Sequence, residues 1–238
     1  MPVNRFFLDA SFSPHDSLPI EGEELAHMRV LRLQPGEELE LINGKGSLAT
    51  CTLNEMLKTQ ALVKIEKVHY EKTLPSRCLL VLPMIRMPKL EWILEKGTEL
   101  GVTSFSVFIA DNSEKEQLTL NQRNRLKNLL ISAMKQCGRL DLPEFHLFSS
   151  LQEIPLIEGH RFFGDTKKEA PLLINQSLPL PLTDTLFFTG PEKGFTEAEI
   201  SYFQQHHIIG VKLSPYILRT ETAPIAAASL IRHLQASD

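Results

Sequence analysis

Short apolar and alternating runs, separated by turn signals, make up about the first seventy residues of the chain. Residues 39–42 form one such run, and residues 43–46 read N-G-K-G, which is a strong hairpin signal. Residues 48–53 and 61–68 supply two further strand-like runs, and one short helix is predicted over residues 23–29. Short strands at this spacing predict a small β-barrel or sandwich.

The pattern changes after a mostly polar segment at residues 70–76, which is typical of a linker between domains. Residues 78–82 read C-L-L-V-L, a continuous apolar run that indicates a strand buried on both faces. Pro88 then opens a predicted helix that ends at Gly101. A longer helix with one apolar stripe is predicted over residues 120–137.

Strand-like and helical segments continue to alternate toward the C-terminus. Thr196 with Glu199 forms a capping box, which opens a helix to about His206, and a final helix is predicted over residues 223–235. The remaining strands are predicted at residues 102–109, 145–148, 161–164, 185–189 and 208–213. This alternation predicts a mostly parallel α/β sheet.

The overall charge limits how the protein can bind nucleic acid. The 238 residues carry a net charge of −4, and the pI is about 6.1, so bulk positive charge cannot coat RNA or DNA. Any RNA binding must come from local patches. One candidate patch lies between Gln117 and Leu140, which encloses no acidic residue and contains Arg123, Arg125, Lys127, Lys135 and Arg139.

Several other classes of protein fit the sequence poorly. No window of eighteen apolar residues lacks a charge, and the apolar run within residues 1–13 is too short for a secretory signal and is interrupted by Asp9. The three cysteines are far apart and form no C-x-x-C pair, so we expect reduced, mostly packed thiols and a cytoplasmic location. The histidine spacing does not indicate a metal site.

Two loops that follow predicted strands are candidates for a binding site. Residues 189–195 read T-G-P-E-K-G-F, between an apolar strand and the capped helix. Ligands of open α/β sheets bind beyond the carboxyl ends of the strands, and glycines allow close approach to the backbone. The spacing matches neither the dinucleotide nor the P-loop glycine motif, and an ordinary turn remains an alternative.

The second loop spans residues 213–223 and carries charged residues directly before the last helix. Ile217 and Leu218 are apolar although they lie in a predicted loop, and Arg219 and Glu221 follow them. Thr222 can cap the helix. A charged pair at a helix N-terminus after an apolar segment indicates a built site. A simple local ion pair between Arg219 and Glu221 is the alternative.

Together these segments resemble the RsmE-type ribosomal RNA uracil-N3 methyltransferases. Residues 213–223, L-S-P-Y-I-L-R-T-E-T-A, are similar to that family's L-G-x-x-I-L-R-x-E-T-A signature, and residues 190–195 to its G-P-E-G-G-F loop. Weaker similarities cover nearly the whole chain: K-x-x-E-L-G-V at 96–102, Q-x-x-R at 136–139 with Pro143, R-F-F at 5–7 and H-x-x-V-L-R at 27–32.

The resemblance implies a fold, a cofactor and a substrate. Residues 73–238 would form a SPOUT-type, trefoil-knotted, mostly parallel sheet domain, preceded by a PUA-like β-barrel RNA-binding domain at residues 1–72. The protein would be a homodimer with its site near the interface. It would use S-adenosyl-L-methionine to methylate N3 of a specific uridine in 16S ribosomal RNA of the small ribosomal subunit, without a metal or a membrane.

The resemblance also implies roles for individual residues. Arg219 would stabilise negative charge on a uracil oxygen, Glu221 would accept the proton or orient the cofactor, and Glu99 is a second candidate for the acceptor. The cofactor-binding residues would be Phe188, Thr189, Gly190, Pro191, Glu192, Gly194, Leu213, Ser214, Ile217, Leu218, Thr220, Thr222 and Ala223. The RNA-binding residues would be Arg5, Arg32, Arg86, Lys96, Arg123, Lys127, Gln136 and Arg139.

Two positions depart from the family pattern and motivate an alternative. Lys193 and Ser214 each stand where the family has glycine. A side chain that is forced into a glycine backbone conformation costs on the order of 1 kcal/mol in strain. One alternative is therefore an RNA-binding or ribosome-assembly factor with impaired catalysis. Another is a SPOUT methyltransferase that acts on a different RNA position.

Overall fold

The computed structural model describes residues 4–71, 75–111, 118–176 and 183–235, and the chain groups into two compact units. The first unit comprises Met1–Thr73 with Ile131–Leu142, and the second comprises Leu74–Leu130 with Pro143–Asp238. The long helix thus contributes its C-terminal half to the first unit, whereas the sequence analysis placed the whole helix in residues 73–238. The reason is local packing, because Met134 and Leu140 are buried together with Ile42.

The first unit is built on a mixed five-stranded sheet in the order β1-β3-β4-β5-β2, with β1 parallel to β3 and the other pairs antiparallel. Its elements are β1 (Arg5–Phe7), β2 (Ser17–Ile20), α1 (Gly22–Val30), β3 (Glu38–Ile42), β4 (Ser47–Met56) and β5 (Ala61–Tyr70). The predicted hairpin is confirmed. Gly44 and Gly46 adopt positive φ in its loop, and Asn43 Oδ1 accepts from the backbone N–H groups of Lys45 and Ser47 at 2.9 and 3.1 Å.

Strict alternation along β4 and β5 creates the core of the first unit. Ala49, Cys51 and Leu53 of β4 are fully buried, as are Val63 and Ile65 of β5, because successive strand residues face opposite sides. Burial, with Glu66 nearby, raises the pKa of the Cys51 thiol to about 12. The thiol is therefore neutral and packs as an apolar group, which matches the expectation of packed cysteines.

The second unit contains a six-stranded sheet in which every ladder is parallel, as the sequence pattern predicted. The strand order is β11-β9-β10-β6-β7-β8. Its strands are β6 (Cys78–Pro83), β7 (Ser104–Phe108), β8 (Glu144–Phe148), β9 (His160–Gly164), β10 (Thr185–Phe188) and β11 (Ile209–Val211). The helices of this half of the chain are α2 (Met87–Glu99), α3 (Leu120–Cys137), α4 (Glu197–Gln205) and α5 (Thr222–Gln235), with short 3-10 helices at Leu151–Glu153 and Leu173–Asn175.

Helices cover both faces of this parallel sheet. Phe188 of β10 packs on one face against Phe203 of α4, with ring centroids 5.2 Å apart. Phe187 and Phe105 lie on the opposite face, which α2 and α5 cover. The approach of α2 is close, because a Cβ added to Gly97 would lie 2.7 Å from the Phe105 ring. Glycine at position 97 is therefore a packing requirement.

The strand order places a topological switch point in the middle of the sheet. The chain builds β6, β7 and β8 outward in one direction, crosses over to β9, and then inserts β10 between β9 and β6. The carboxyl ends of β6 and β10 therefore lie side by side where the order reverses, which is the usual position of a ligand site in open α/β sheets. The trefoil knot stays a prediction. In the described part of the chain, no helix is long and apolar enough to cross a membrane.

Candidate active site

The loop after β10 starts from a buried anchor at the switch point. Thr189 is 1% exposed, and its N–H and Oγ1 both donate to the carbonyl of Val81 in β6, at 2.9 and 3.1 Å. The loop then turns tightly, since Gly194 N–H donates to the Pro191 carbonyl at 2.8 Å and Gly194 has a φ of +77°. Lys193 is not among the non-glycine residues with positive φ in the described ranges. A side chain at position 193 therefore causes no backbone strain.

The far end of this loop is fixed to α4. The predicted capping box is confirmed: Thr196 Oγ1 accepts from Glu199 N–H at 3.2 Å, and the Glu199 carboxylate accepts from Thr196 N–H at 2.8 Å. The Phe195 ring packs edge-to-face on Phe203 at 4.8 Å and lies against Gly190, where an added Cβ would meet the ring at 3.2 Å. Glu199 is buried in this capping position, and burial raises the pKa of its carboxyl.

The loop between β11 and α5 exposes apolar residues and leads into the last helix. Ser214 Oγ accepts from the N–H of Tyr216 at 3.2 Å, so serine at position 214 stabilises the turn through its side chain. Tyr216 and Ile217 are 81% and 80% exposed. The carbonyl of Arg219 accepts from the N–H groups of residues 222 and 223, both at 2.9 Å, which begins α5.

A lysine from α2 joins the two loops. Lys89 Nζ lies 2.5 Å from Glu192 Oε1 in the first loop and 3.2 Å from Glu221 Oε2 before α5. The sequence analysis missed Lys89. The available signal was its position, because Arg86 and Lys89 both follow the carboxyl end of β6, where a parallel sheet binds ligands.

Charge interactions in this cluster keep both carboxylates ionised. The Lys89 ammonium lowers the pKa of Glu192, with smaller contributions from Arg86 and Arg219, and the two carboxylates raise the pKa of Lys89. For Glu221, burial acts to raise the pKa, but its own backbone N–H, Lys89 and Arg219 outweigh burial and lower it. The ion pair of Glu221 runs to Lys89 rather than to Arg219, so the simple pair considered above is not the arrangement in the structure.

The cluster fits a ligand with hydrogen-bond donors and positive charge. Glu221 Oε2 is inaccessible to solvent and has no hydrogen-bond partner among the residues that the structure describes. Its contact with Lys89 is at ion-pair distance but lacks hydrogen-bond alignment. S-adenosyl-L-methionine carries an ammonium and two ribose hydroxyls, which can donate hydrogen bonds to a carboxylate. It also carries a sulfonium, whose positive charge a carboxylate attracts. The tight backbone at Gly190 and Gly194 also allows close approach.

The other predicted cofactor residues surround the same two loops, and their binding role stays a prediction. Thr189, Gly190, Pro191, Glu192 and Gly194 follow the buried end of β10 at Phe188. Leu213, Ser214, Ile217 and Leu218 lie in the second loop, and Thr220 lies at its end. Thr222 and Ala223 are the first two residues of α5, so Thr222 stands inside the helix rather than at the predicted capping position before it. Both groups of residues follow carboxyl ends of strands in the same sheet.

The structure does not bring Glu99 to Arg219 and Glu221 within one chain. Glu99 ends α2 and pairs there with Lys96 at 2.8 Å, and Lys96 also pairs with Glu95 at 2.7 Å. Glu99 lies ten positions after Lys89 in α2, which corresponds to about 15 Å along the helix axis. The catalytic role of Glu99 and the RNA-binding role of Lys96 stay predictions.

The remaining predicted RNA-binding residues differ in how exposed they are. Arg86, Arg123 and Lys127 are exposed on the second unit, and Arg32 and Gln136 are exposed on the first. Arg5 pairs with Glu40 at 2.7 Å, and Arg139 pairs with Asp141. Both of these arginine side chains are 12% exposed, so most of each guanidinium is turned away from solvent.

Comparisons with known proteins agree with both units. Residues 72–232 match the RNA methyltransferase domain family, and residues 20–66 match the RNA methyltransferase PUA domain family. The ribosomal RNA small subunit methyltransferase E of Helicobacter pylori (strain ATCC 700392 / 26695) is 32% identical over 218 residues, which cover 90% of this chain and 93% of that protein. The protein of the same name from Bacillus subtilis (strain 168) is 29% identical over 250 residues, or 97% and 96% of the two chains.

Solved structures show the same fold. The crystal structure of a ribosomal RNA small subunit methyltransferase E from Neisseria gonorrhoeae, bound to S-adenosyl methionine, aligns with a TM-score of 0.87 and 27% identity over 98% of both chains. A putative methyltransferase from Legionella pneumophila, with bound SAM, also aligns with a TM-score of 0.87, at 26% identity over 98% of both chains. These likenesses confirm the predicted SPOUT-type fold class with a PUA-like N-terminal domain. The chain belongs to the ribosomal RNA small subunit methyltransferase E family.

Proposed function

We propose that this protein transfers a methyl group from S-adenosyl-L-methionine to N3 of one uridine in 16S ribosomal RNA of the small subunit. The observation that carries the proposal is the cluster at the switch point, where Lys89 joins the two loops that hold the family's signature residues. The names of the relatives and the cofactor in the similar structures support the same activity.

The reaction needs an acceptor nitrogen that has lost its proton. The bound cofactor supplies an electrophilic methyl group on a positively charged sulfur. Arg219 is exposed beside the cluster and would stabilise the negative charge that spreads onto a uracil oxygen as the N3 proton leaves to water. Glu221 orients the cofactor rather than accepting this proton, because a carboxylate with a lowered pKa is a weak base.

Positive charge on α3 supports RNA binding by the second unit. Arg123 and Lys127 are exposed on the first half of this helix. Arg123 also borders an open groove of about 330 Å³, lined otherwise by Phe145, His146, Leu147 and Phe148 of β8. Arginine with aromatic rings is a typical combination for phosphate and base contacts of single-stranded RNA. The PUA-like unit, with Arg5, Arg32, Gln136 and Arg139, adds a second RNA-binding surface.

The assembly that we propose is a cytoplasmic homodimer. Tyr216 and Ile217 are largely exposed in the loop that leads to Arg219, and exposed aromatic and aliphatic side chains next to a site are typical of an interface. Analytical ultracentrifugation of the wild type and of an Ile217→Asp variant tests this point. A wild type that sediments as a monomer at micromolar concentration would contradict it.

The experiment that tests the function is methyl transfer to isolated small ribosomal subunits that lack the modification. Labelled S-adenosyl-L-methionine supplies the methyl group, and the RNA is digested to nucleosides. We expect N3-methyluridine. A ribose-methylated product would show a different RNA target, and unlabelled RNA, with a working positive control, would indicate the catalytically impaired binding factor. The substitutions at Lys193 and Ser214 give little support to the catalytically impaired RNA-binding factor. Neither residue has a positive φ, and Ser214 stabilises its own turn.

Removal of one exposed basic side chain on α3 should weaken RNA binding in a salt-dependent way. We expect Lys127→Ala to reduce the slope of log K against log salt concentration by about one unit, because one fewer phosphate is neutralised. Filter binding of a 16S fragment at several salt concentrations measures the slope. Lys64→Ala removes a lysine whose side chain is 42% exposed and pairs with Glu66 at 3.4 Å, and it serves as the control. A slope equal to that of the wild type would show that Lys127 meets no phosphate.

A further inference from the structure

We propose that Lys89 is a positioning residue that holds Glu192 and Glu221 in place and thereby leaves Arg219 available to the RNA substrate. The inference rests on the proposed function. It assigns a role to a residue outside the signature loops. Lys89 acts on the reaction through the residues that it holds.

The backbone around Lys89 is rigid enough for this role. Lys89 lies in the first turn of α2, where its N–H donates to the Arg86 carbonyl at 3.0 Å. The adjacent Leu90 is fully buried, and so is Leu94 one turn later. The ammonium therefore extends from a packed helix toward two glutamates, Glu192 and Glu221, that lie in different loops and are 29 positions apart in the sequence.

The contact with Glu221 contributes more than the contact with Glu192. The Glu192 side chain is 67% exposed, and ion pairs at such positions are largely screened by water. The Glu221 side chain is 18% exposed, and its buried Oε2 receives no hydrogen bond from the described part of the chain. Loss of Lys89 would leave this carboxylate partly buried without its cation, which is the unfavourable case for an ion pair.

Arg219 connects the ion pair to the chemistry. The guanidinium makes no hydrogen bond or ion pair with another described residue, although it is close enough to lower the pKa of both carboxylates. When Lys89 neutralises Glu221, the electrostatic attraction between the Arg219 guanidinium and that carboxylate is weak. Without Lys89, Arg219 is the remaining cation that lowers the pKa of Glu221, so it is drawn toward that carboxylate and away from the uracil oxygen.

The test compares Lys89→Met with Lys89→Arg and with the control Lys64→Met. Isothermal titration calorimetry measures S-adenosyl-L-methionine binding in the absence of RNA, and single-turnover methyl transfer is measured as a function of pH. For Lys89→Met we expect a Kd about tenfold higher, because the loops are no longer preorganised. We expect Lys89→Arg to restore most of the affinity and Lys64→Met to match the wild type.

The pH profile separates positioning from general stability. Lys89 contributes to the lowered pKa of Glu221, so its loss should raise that pKa, and Glu221 should become protonated at higher pH as the solution is acidified. The acid limb of the Lys89→Met profile should therefore move to higher pH. The double variant Lys89→Met/Glu221→Gln should lose little more cofactor affinity than Glu221→Gln alone, because the two substitutions remove the same interaction. Glu192→Gln should have a smaller effect than Glu221→Gln.

The outcomes distinguish this inference from the proposed function. An unchanged Kd and an unchanged acid limb in Lys89→Met would overturn the inference even if the wild type methylates 16S RNA. Equal losses of affinity in Lys89→Met and Lys89→Arg, with no shift of the acid limb, would reduce Lys89 to a purely structural residue. A wild type that binds the cofactor and depends on Lys89, but yields no N3-methyluridine, would overturn the function alone.

Discussion

Arg219→Ala is expected to lower kcat for methyl transfer about 10²–10³-fold while the Kd for S-adenosyl-L-methionine changes less than about threefold. The reason is that, in the proposed mechanism, Arg219 stabilises the negative charge that develops on the uracil, and that it lies outside the Lys89–Glu221 ion pair. Its side chain is exposed, so its removal leaves no cavity in the core. Single-turnover transfer to small ribosomal subunits measures the chemical step, and calorimetry measures cofactor binding.

Arg219→Lys provides the matched comparison for this variant. Lysine keeps the charge but loses the planar fork of the guanidinium, so we expect an intermediate rate. A rate like that of Arg219→Ala would show that geometry outweighs charge. Full turnover by Arg219→Ala would remove Arg219 from the mechanism. A large loss of cofactor affinity would instead assign Arg219 to cofactor binding.

Phe203→Ala is expected to destabilise the second unit by about 3–5 kcal/mol, which is the usual cost of truncating a buried aromatic ring. Phe203 is fully buried and stacks on Phe163 with centroids 4.6 Å apart. It also contacts Phe195, which anchors the loop after β10. Urea unfolding, followed by the fluorescence of the single tryptophan, Trp92 in α2, reports on the second unit.

The Phe203→Ala substitution should weaken cofactor binding at the candidate site as well as destabilise the fold. Once the Phe195 ring has lost its partner, the loop at Gly190 is less restrained, so the Kd for S-adenosyl-L-methionine should increase under conditions where the variant is still folded. Phe203→Leu fills most of the space and should cost less in both measurements. A Phe203→Ala variant with the wild-type urea midpoint would contradict the packing described for α4.

Sequence reasoning succeeded where the determinants are local. The spans of α3 and α5, the capping box at Thr196 and the hairpin at residues 43–46 follow from periodicity, caps and turn residues within a few positions of one another. The parallel sheet followed from alternating elements, since parallel neighbours require crossovers. The two signature loops were identified because the order I-L-R-T-E-T-A at residues 217–223 is specific to one family and the weaker motifs support it in combination.

Only the tertiary structure decided how these parts are combined. The position of β10 between β6 and β9 depends on pairing between strands far apart in the chain, which periodicity does not encode. The assignment of Ile131–Leu142 to the first unit depends on burial of Met134 beside Ile42, and the backbone angle at Lys193 depends on the turn that Gly194 closes. Lys89 was not identified from sequence because a lysine in the first turn of a helix is usually solvated. Its role follows from two carboxylates that the fold brings to within 2.5 and 3.2 Å of one ammonium.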